Sequence, residues 1–390
     1  MDKIKYIDND KSKGILVDWK FIFKEYKKLG CPKDVYNPCT LPIGKATYHV
    51  LLSERKTGKT TNVLLIGLLL YWYYGIVTPY IRQTETMIMN KNVGTLMDVV
   101  KHYGYIEKIT DGKYNDIIYH ARKWYLVKFE NDEIVEQDNN FCMYCLALDC
   151  NEVYKSNLNL PTGDWIIFDE FISKRYRMNE FVDFADLLST IIRKRVTANI
   201  IMLANTIDIH SDYFLELEIY EEIQTIRNGE KEILTTERGT KIYYEWIKTN
   251  QNIIEKTIYN ALYFGFKNPK ISAITGGDWA LSNYPHIQKG FKKLHSGIYV
   301  EYNNRLLALD IVEYEDIGIC INCHRATKTY DDSYIYSLTE PKDKRYHYYM
   351  GIGNNLDRLI VKLVESHKIR FQNNSCGTMF YNHYDKKGKK

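Results

Sequence analysis

The feature that most constrains this chain is the tripeptide Gly58-Lys59-Thr60, which stands between a strand pattern and a long apolar segment. Residues 46–53 combine β-branched and apolar side chains, and this pattern predicts a buried strand. Residues 63–77 form an apolar stretch of 15 residues, shorter than the ~20 needed to span a bilayer, so they predict a buried helix. A tight turn between strand and helix aims backbone N–H groups at phosphate, which predicts a phosphate-binding loop.

The residue types in this loop each suit a nucleotide site. A lysine such as Lys59 reaches the β- and γ-phosphates, and the hydroxyl of Thr60 can ligate Mg²⁺. The usual pattern starts with glycine, whereas this sequence has Ser53 at that position. The expected nucleotide-binding residues of the loop are Ser53, Arg55, Lys56, Thr57, Gly58, Lys59, Thr60 and Thr61.

A second apolar segment, residues 165–168, ends in two carboxylates. It predicts a buried strand, and ligands of α/β sheets bind where such strands end. We expect Asp169 to hold Mg²⁺, through Thr60 or water, and Glu170 to act as the base for an attacking water. Together with the phosphate loop, this pair predicts hydrolysis of a nucleoside triphosphate.

The predicted helix 179–195 ends in the basic cluster Arg193-Lys194-Arg195, just before a predicted buried strand at 199–205. Basic residues at a helix end can simply complement the helix dipole. Arg193 could instead be an arginine finger that enters the site of a neighbouring subunit. Asn205, at the tip of its strand, is placed to sense the γ-phosphate, although asparagine also forms turns.

Strand patterns alternate with helix patterns up to residue 205, which predicts a parallel sheet flanked by helices. A helix is expected after the strand at 79–82, through about residue 101, and a β-meander insertion at 105–149. A chain of 390 residues exceeds one hydrophobic core, so two domains are expected. The predicted boundaries are an N-terminal domain at 1–215, a charged linker at 216–244 and a C-terminal domain at 245–390.

The composition is that of an ordinary globular protein. Apolar residues make up 45% and charged residues 26%, which excludes a largely disordered or fibrous chain, and the net charge is +4.

The N-terminus lacks the apolar run of a signal peptide, so the eight cysteines are expected to be reduced cytosolic thiols. Two Cys-x-x-Cys pairs are expected to be small apolar strand residues rather than zinc or haem ligands: Cys142/Cys145 and Cys320/Cys323. The 34 tyrosines suit strands, interfaces or base stacking, and biased coding composition also explains them.

The combined motifs resemble those of the DNA-encapsidation ATPases of small tailed phages with protein-primed genomes, which are terminase-like packaging motors. The resemblance is specific over residues 45–215 and rests on the phosphate loop, Ile-Ile-Phe-Asp-Glu at 166–170, Ile-Ile-Arg-Lys-Arg at 191–195 and Met-Leu-Ala-Asn at 202–205. It implies an α/β P-loop ATPase domain of the additional-strand, conserved-glutamate type. It also implies a second, α+β domain that is ribonuclease-H-like and a degenerate nuclease.

The resemblance further implies a function: an ATP-driven motor that moves double-stranded viral DNA into a preformed procapsid through its portal. The implied cofactors are ATP and Mg²⁺, and the implied assembly is a homo-oligomeric ring of five subunits. The resemblance allows an RNA adaptor and implies no membrane partner. It places the protein in the host cytoplasm and, transiently, at the portal vertex.

The resemblance assigns roles to three residues. Arg193 matches an arginine that acts in trans, and Lys155 matches a second basic residue that acts on the neighbouring site. Arg82 matches an arginine close to the nucleotide.

Two other functions fit the same motifs. The chain could be a nucleotide-binding switch or scaffold without translocation, but a switch has no need of a base at Glu170. It could also be a terminase with an active nuclease, which requires clustered carboxylates around two metal ions. The carboxylate candidates are Glu301, Asp310, Glu313 and Asp316. DNA contact would be electrostatic and independent of base sequence. The basic candidates are Lys289, Lys292, Lys293, Lys342, Lys344, Arg345 and the tail Lys386-Lys387-Gly388-Lys389-Lys390.

Overall fold

The structure is a computed structural model that forms two compact units, and each unit is treated separately. The first unit contains the phosphate loop, and the second contains residues 211–215 and the strands that follow residue 284. The residues described are 4–53, 57–150, 154, 162–172, 180–205, 211–223, 225–226, 228–248, 284–302, 305–338, 341–347 and 355–384.

The described strands and helices are numbered in chain order. The strands are β1 (Tyr48–Ser53), β2 (Thr78–Arg82), β3 (Asp116–His120), β4 (Lys123–Glu130), β5 (Glu133–Gln137), β6 (Met143–Ala147), β7 (Trp165–Asp169), β8 (Asn199–Asn205), β9 (Lys231–Thr235), β10 (Lys241–Trp246), β11 (Phe291–Tyr302), β12 (Arg305–Tyr314), β13 (Gly318–Ala326), β14 (Tyr334–Ser337), β15 (Tyr346–His347) and β16 (Ile369–Phe371). The helices are α1 (Trp19–Lys28), α2 (Lys59–Tyr74), α3 (Asn90–Val93), α4 (Asp98–His102), α5 (Tyr105–Ile109), α6 (Glu180–Ile192), α7 (Asp212–Glu216), α8 (Tyr220–Ile223), α9 (Asn355–Glu365) and α10 (Asn374–Tyr384).

The first unit is built on a sheet whose described strands follow the order β3-β4-β6-β2-β7-β8-β1-β10-β9, with β5 added beside β4. The six strands from β6 to β10 in this order are parallel. Strand β8 lies between β1, which precedes the phosphate loop, and β7, which ends in Asp169. This is the extra central strand that the resemblance implies, so the predicted α/β class is confirmed.

Helices cover both faces of this parallel sheet, which explains why its central strands are continuously apolar. On one face the Trp165 indole packs in the core beside α2 and donates to the Val63 carbonyl at 3.3 Å. On the other face the Phe168 ring lies 4.7 Å from the Phe184 ring of α6. Helix α2 is buried along most of its length, as its apolar sequence predicts. Within the described ranges, no helix combines the length and hydropathy that a membrane span requires.

The segment after β2 differs from the single helix expected there. Residues 85–102 form two 3₁₀ turns and the short helices α3 and α4. The Asn92 side chain donates to the Thr86 carbonyl, a local contact that competes with continuous helical hydrogen bonding. The expected β-meander is present as β3, β4 and β5, but residues 105–109 form α5, and β6 joins the parallel sheet beside β2.

The structure corrects the predicted linker at 216–244, because these residues are part of the first unit. They contain α8, β9 and most of β10, and β10 pairs with β1 in parallel along its length. Strand β9 is an edge strand with mostly exposed residues, which accounts for its charged, linker-like composition. The units therefore separate near residue 281 rather than at 245, and residues 211–215 belong to the second unit.

The second unit contains a six-stranded sheet of order β15-β14-β11-β12-β13-β16. Strands β11, β12 and β13 form an antiparallel meander, and β14 is added in parallel to β11, followed by β15. This strand order is that of the ribonuclease-H-like fold, which the resemblance implies. Helices α9 and α10 supply the apolar core of one sheet face.

The paired cysteines lie in the two cores. Cys142, Cys145, Cys320 and Cys323 are all buried. Burial raises the pKa of the Cys145 thiol to about 12, which disfavours the thiolate that metal binding needs.

Candidate functional site

The parallel sheet brings the predicted site residues to one edge. Ser53, at the end of β1, is the register neighbour of Asn205, at the end of β8. Asp169 pairs with Leu203 of the same strand β8. Arg82 is the last residue of β2, and β2 pairs with β7 on the side opposite β8. The carboxyl ends of four adjacent strands therefore present these side chains together, at the position where α/β sheets bind ligands.

The phosphate loop needs glycine at position 58. Gly58 has a φ of +73°, and a Cβ there would lie 2.9 Å from the Val35 Cβ and 3.0 Å from the Asn62 amide nitrogen. The Asn62 amide nitrogen donates to the Gly58 carbonyl at 2.8 Å, which fixes the turn from the helix side. Gly58 is also the N-cap of α2 and has no side chain to cap its first N–H groups, which suits a bound phosphate.

Lys59 lies at the centre of the loop. Its ammonium group donates to the Ser53 hydroxyl at 3.0 Å and to the Asn205 amide oxygen at 2.9 Å. The Ser53 hydroxyl also lies 2.7 Å from the Thr57 hydroxyl. Ser53, which replaces the usual glycine, thus ties the start of the loop to its lysine.

Asp169 is a buried carboxylate with several hydrogen-bond donors. The Tyr80 hydroxyl donates to Oδ2 at 2.7 Å, and the Arg82 guanidinium donates to the same oxygen at 3.4 Å. The Thr60 hydroxyl donates to Oδ1 at 3.4 Å. These contacts fix the carboxylate so that one oxygen faces the phosphate loop.

Glu170 lies beside Asp169 but reaches towards solvent. Its backbone has a φ of +53°, and its side chain is 51% exposed. The Arg82 guanidinium donates to its Oε2 at 2.6 Å. Burial lowers the pKa of Arg82, but Tyr80, Asp169 and Glu170 outweigh burial and raise the pKa, so the guanidinium stays charged.

The arrangement fits a magnesium–nucleotide complex. Thr60 and Asp169 offer hard oxygen ligands, and Mg²⁺ commonly takes one or two such protein ligands with phosphates and waters. A pocket of about 700 Å³ extends from the loop to Glu170 and Asn205. Its polar lining residues are Thr57, Lys59, Thr60, Thr61, Asn62, Glu170 and Asn205.

Not every predicted residue is part of this cluster. Arg55, Lys56 and Lys155 lie outside the described residues. Arg193 lies elsewhere in the first unit, at the end of α6.

Helix α6 runs from the site edge of the sheet to the opposite edge. Near its start, Glu180 accepts a hydrogen bond from the Gln83 side chain at 3.1 Å, next to Arg82. Near its end, the Arg195 Nε lies 3.7 Å from Asp164, which precedes β7. The helix has 13 residues and so spans about 20 Å.

The end of α6 gives its two arginines different surroundings. The Arg195 guanidinium donates to the Ile191 carbonyl at 2.9 Å and so complements the helix end. Arg193 is exposed, with a φ of +52° just beyond the helix, and its Nε donates to the Thr190 carbonyl at 3.2 Å. Arg193 therefore lies at the sheet edge remote from Asp169 of its own chain.

The sequence reasoning missed three tyrosines around the site. Tyr80 holds Asp169, the Tyr26 hydroxyl donates to the Asn62 amide oxygen at 2.7 Å, and Tyr103 lines the pocket. A signal existed for Tyr80, because residues two apart in a strand share a face and Arg82 was already a candidate. Tyr26 and Tyr103 are distant in sequence from the loop and carry no comparable signal.

The carboxylates of the second unit are paired with cations instead of clustered. Lys342 contacts Glu301, and Lys293 and His324 contact Asp310 at 2.6 and 3.1 Å. Burial raises the pKa of Asp310, but the hydrogen bonds from His324 and Lys293 outweigh burial and keep the pKa low.

The two paired carboxylates are also far apart. Glu301 is opposite Leu306, and Asp310 is four residues further along β12, about 13 Å. Glu313 and Asp316 are exposed. Within the described residues, no group of three or more His, Cys, Asp or Glu side chains could hold a metal ion.

Comparison with known proteins identifies the fold. No protein-family model matches the sequence, and no curated protein matches it either. The gp11 DNA packaging motor of phage Phi-28 superposes with a TM-score of 0.55 at 18% identity, over 87% of this chain and 95% of that chain. The genome packaging motor assembly of bacteriophage Phi-29 superposes with a TM-score of 0.58 at 16% identity, over 91% of this chain and 99% of that chain.

The chain has the fold of a phage DNA-packaging motor protein. The resemblance read from its motifs is thereby confirmed for the fold. Both matched motors are covered almost completely, so the packaging-motor fold extends over the two units and is not limited to the phosphate-loop region.

Tyr80 provides a test of the site geometry. We expect Tyr80→Phe to raise the Mg²⁺ concentration needed for half-maximal ATP binding by about ten-fold, because Asp169 loses the donor that orients it. Titration of Mg²⁺ at fixed ATP measures this concentration. Tyr119→Phe is the matched control, since its hydroxyl donates to the Ile88 carbonyl at 2.6 Å, away from the loop. An unchanged Mg²⁺ requirement in Tyr80→Phe would contradict the assignment.

Proposed function

We propose that this chain is an ATPase that uses Mg²⁺-dependent ATP hydrolysis to translocate double-stranded DNA during phage genome packaging. The observation that carries the proposal is the convergence of Lys59, Asp169, Glu170 and Asn205 at one sheet edge. The fold shared with two phage packaging motors supports the biological setting.

The proposed roles follow from the contacts at this edge. Lys59 and the N-terminus of α2 bind the phosphates, and Asn205, already bonded to Lys59, contacts the terminal phosphate. Thr60 and Asp169 hold Mg²⁺, which offsets phosphate charge when bound. Glu170 accepts a proton from the attacking water, or orients that water.

Arg82 connects the two carboxylates in these roles. It contacts Asp169 and Glu170 at the same time, so it fixes the separation of the two carboxylates. The exposed carboxylate of Glu170 favours a hydrolysing enzyme over a switch or scaffold, because a switch needs no base beside the Mg²⁺ ligand.

The first test separates binding from hydrolysis. Lys59→Ala should lose ATP binding, because the loop loses its central cation. Glu170→Gln should bind ATP normally but hydrolyse it about 10²–10⁴-fold more slowly, since an amide cannot accept the proton. Binding is measured by calorimetry and turnover by phosphate release, with Glu133→Gln on the exposed strand β5 as control. Equal loss of binding in Lys59→Ala and Glu170→Gln would refute the roles.

We propose that Arg193 acts in trans within a homo-oligomeric ring. Helix α6 carries Arg193 away from the Asp169 edge, so a contact with the phosphates of its own subunit is disfavoured. Arg193 Nε also donates to the Thr190 carbonyl at 3.2 Å, so it complements the helix end as Arg195 does, and the trans role is proposed from the resemblance and from the position of Arg193 away from the Asp169 edge. Lys155 is proposed as the second trans-acting residue, from the resemblance alone.

Mixing two defective variants tests the trans role. Arg193→Ala should bind ATP but hydrolyse it ~10³–10⁵-fold more slowly. Mixed rings with Glu170→Gln should regain activity, because some interfaces pair an intact Glu170 site with the neighbour's intact Arg193. The control is Lys194→Ala, because Lys194 is the next residue along the chain and its side chain is also exposed. If mixed oligomers form but no activity returns at any ratio, Arg193 does not act in trans.

The wider assembly is proposed from the resemblance to packaging motors. It comprises a ring of five copies, a portal or connector of the procapsid, double-stranded DNA bound independently of sequence, and an RNA adaptor as a further partner. The ring would act at the portal vertex in the host cytoplasm. Of the basic candidates for DNA contact, Lys293, Lys342 and Arg345 are paired with Asp310, Glu301 and Asp343.

We propose that the second unit is a degenerate nuclease. Two metal ions about 3.5–4 Å apart need shared carboxylates. Glu301 has a serine, Ser337, as its register neighbour on β14, and Asp310 lies about 13 Å away, too far to share a pair of metal ions with Glu301.

Purified protein incubated with plasmid and Mn²⁺ should therefore leave the plasmid supercoiled, as read on an agarose gel. Nicking that is lost in Glu301→Ala or Asp310→Ala, and retained in Glu313→Ala, would establish an active nuclease instead.

A further inference from the structure

The pocket at the phosphate loop has a second, apolar end. Beyond the polar residues already assigned, its lining comprises Pro32, Val35, Val99, Tyr103 and Tyr105. A triphosphate would occupy only the polar end, so the apolar end remains for another part of the ligand. We propose that this end binds the nucleobase of ATP and that the Tyr103 ring stacks on it. The proposal rests on the ATPase function proposed above.

One wall of the apolar end is attached to the phosphate loop. The Tyr36 N–H donates to the Thr57 carbonyl at 2.9 Å, which ties the segment containing Val35 to the loop. The Val35 side chain packs against the position of Gly58, where a Cβ would clash with it. The wall formed by Pro32 and Val35 therefore keeps a fixed position relative to the phosphates.

The opposite wall is the turn between α4 and α5. Tyr103 follows the last residue of α4, and Gly104, with a φ of +61°, reverses the chain into α5. The Lys108 ammonium of α5 donates to the Leu29 carbonyl at 3.4 Å, which joins this wall to the segment before Pro32. The two walls therefore face each other across a braced cleft.

Tyr103 has the surroundings expected of a stacking residue. Its ring lies 5.7 Å from the ring of buried Tyr105 at an interplanar angle of 27°, and His102 contacts it edge-on at 5.1 Å. The residue is nevertheless 50% exposed. A ring held in place on one side and open on the other loses little entropy when it stacks on a planar base.

The chemistry of this end suits a base and not further phosphate. All five of these lining residues present apolar or aromatic surface, whereas Lys59 and Thr60 supply the phosphate-binding cation and hydroxyl of the same pocket. Stacking of a base on an aromatic side chain recognises its planar face, so Tyr103 contributes affinity for the nucleoside part of the ligand.

Two ligands separate the base site from the phosphate site. Binding of Mg²⁺-ATP and of inorganic Mg²⁺-tripolyphosphate is measured by calorimetry on the full chain and on Tyr103→Ala. We expect Tyr103→Ala to bind ATP about 5- to 100-fold more weakly and to bind tripolyphosphate as the unchanged chain does. Tyr103→Phe keeps the ring and should bind ATP normally. Tyr330→Ala, an equally exposed tyrosine of the second unit, is the control.

Each other outcome has a defined meaning. Unaltered ATP affinity in Tyr103→Ala overturns the stacking assignment. Equal loss of ATP and tripolyphosphate also overturns it, because Tyr103 would then support only the loop. If the unchanged chain binds neither ligand, the proposed ATPase function itself fails, and the base site fails with it. A triphosphate of 2-aminopurine riboside gives a second readout, since its fluorescence should be quenched by Tyr103 and recover in Tyr103→Ala.

Discussion

The carboxylate of Asp169 is the constraint on which the site depends. A buried charge is costly unless donors surround it, and removal of one partner from such a pair typically costs 3–5 kcal/mol. Tyr80, Arg82 and Thr60 provide these donors from β2 and from the start of α2. Because these donors come from two elements, β2 and the start of α2, the burial of one carboxylate fixes the positions of the phosphate loop and of β2 relative to β7.

The parallel sheet explains why the sequence predicted so much of this arrangement. Strands buried on both faces must be continuously apolar, so β1, β7 and β8 are evident from the sequence alone. Their carboxyl ends lie at one edge, so residues that directly follow each apolar run become neighbours. Ser53, Asp169 and Asn205 were found by this rule, together with Lys59 and Thr60 of the helix that follows β1.

Long-range packing explains what the sequence did not reveal. Tyr26 of α1 and Tyr103 of the turn between α4 and α5 are distant in sequence from the loop, so no local pattern marks them. Biased coding composition explains the 34 tyrosines in general, so their number did not single out the ones at the site. The error at 216–244 has another cause, since a solvent-exposed edge strand such as β9 has the composition of a linker.

Helix α6 has a consequence for communication between subunits. Gln83, next to Arg82, donates both to the Phe171 carbonyl and to Glu180 at the start of α6. A packed helix transmits displacement as a rigid rod because its core contacts do not compress. A shift of Arg82 on nucleotide binding would therefore be delivered about 20 Å away, at Arg193. In the proposed ring, α6 would therefore connect the nucleotide site of one subunit to the arginine proposed to act on the next.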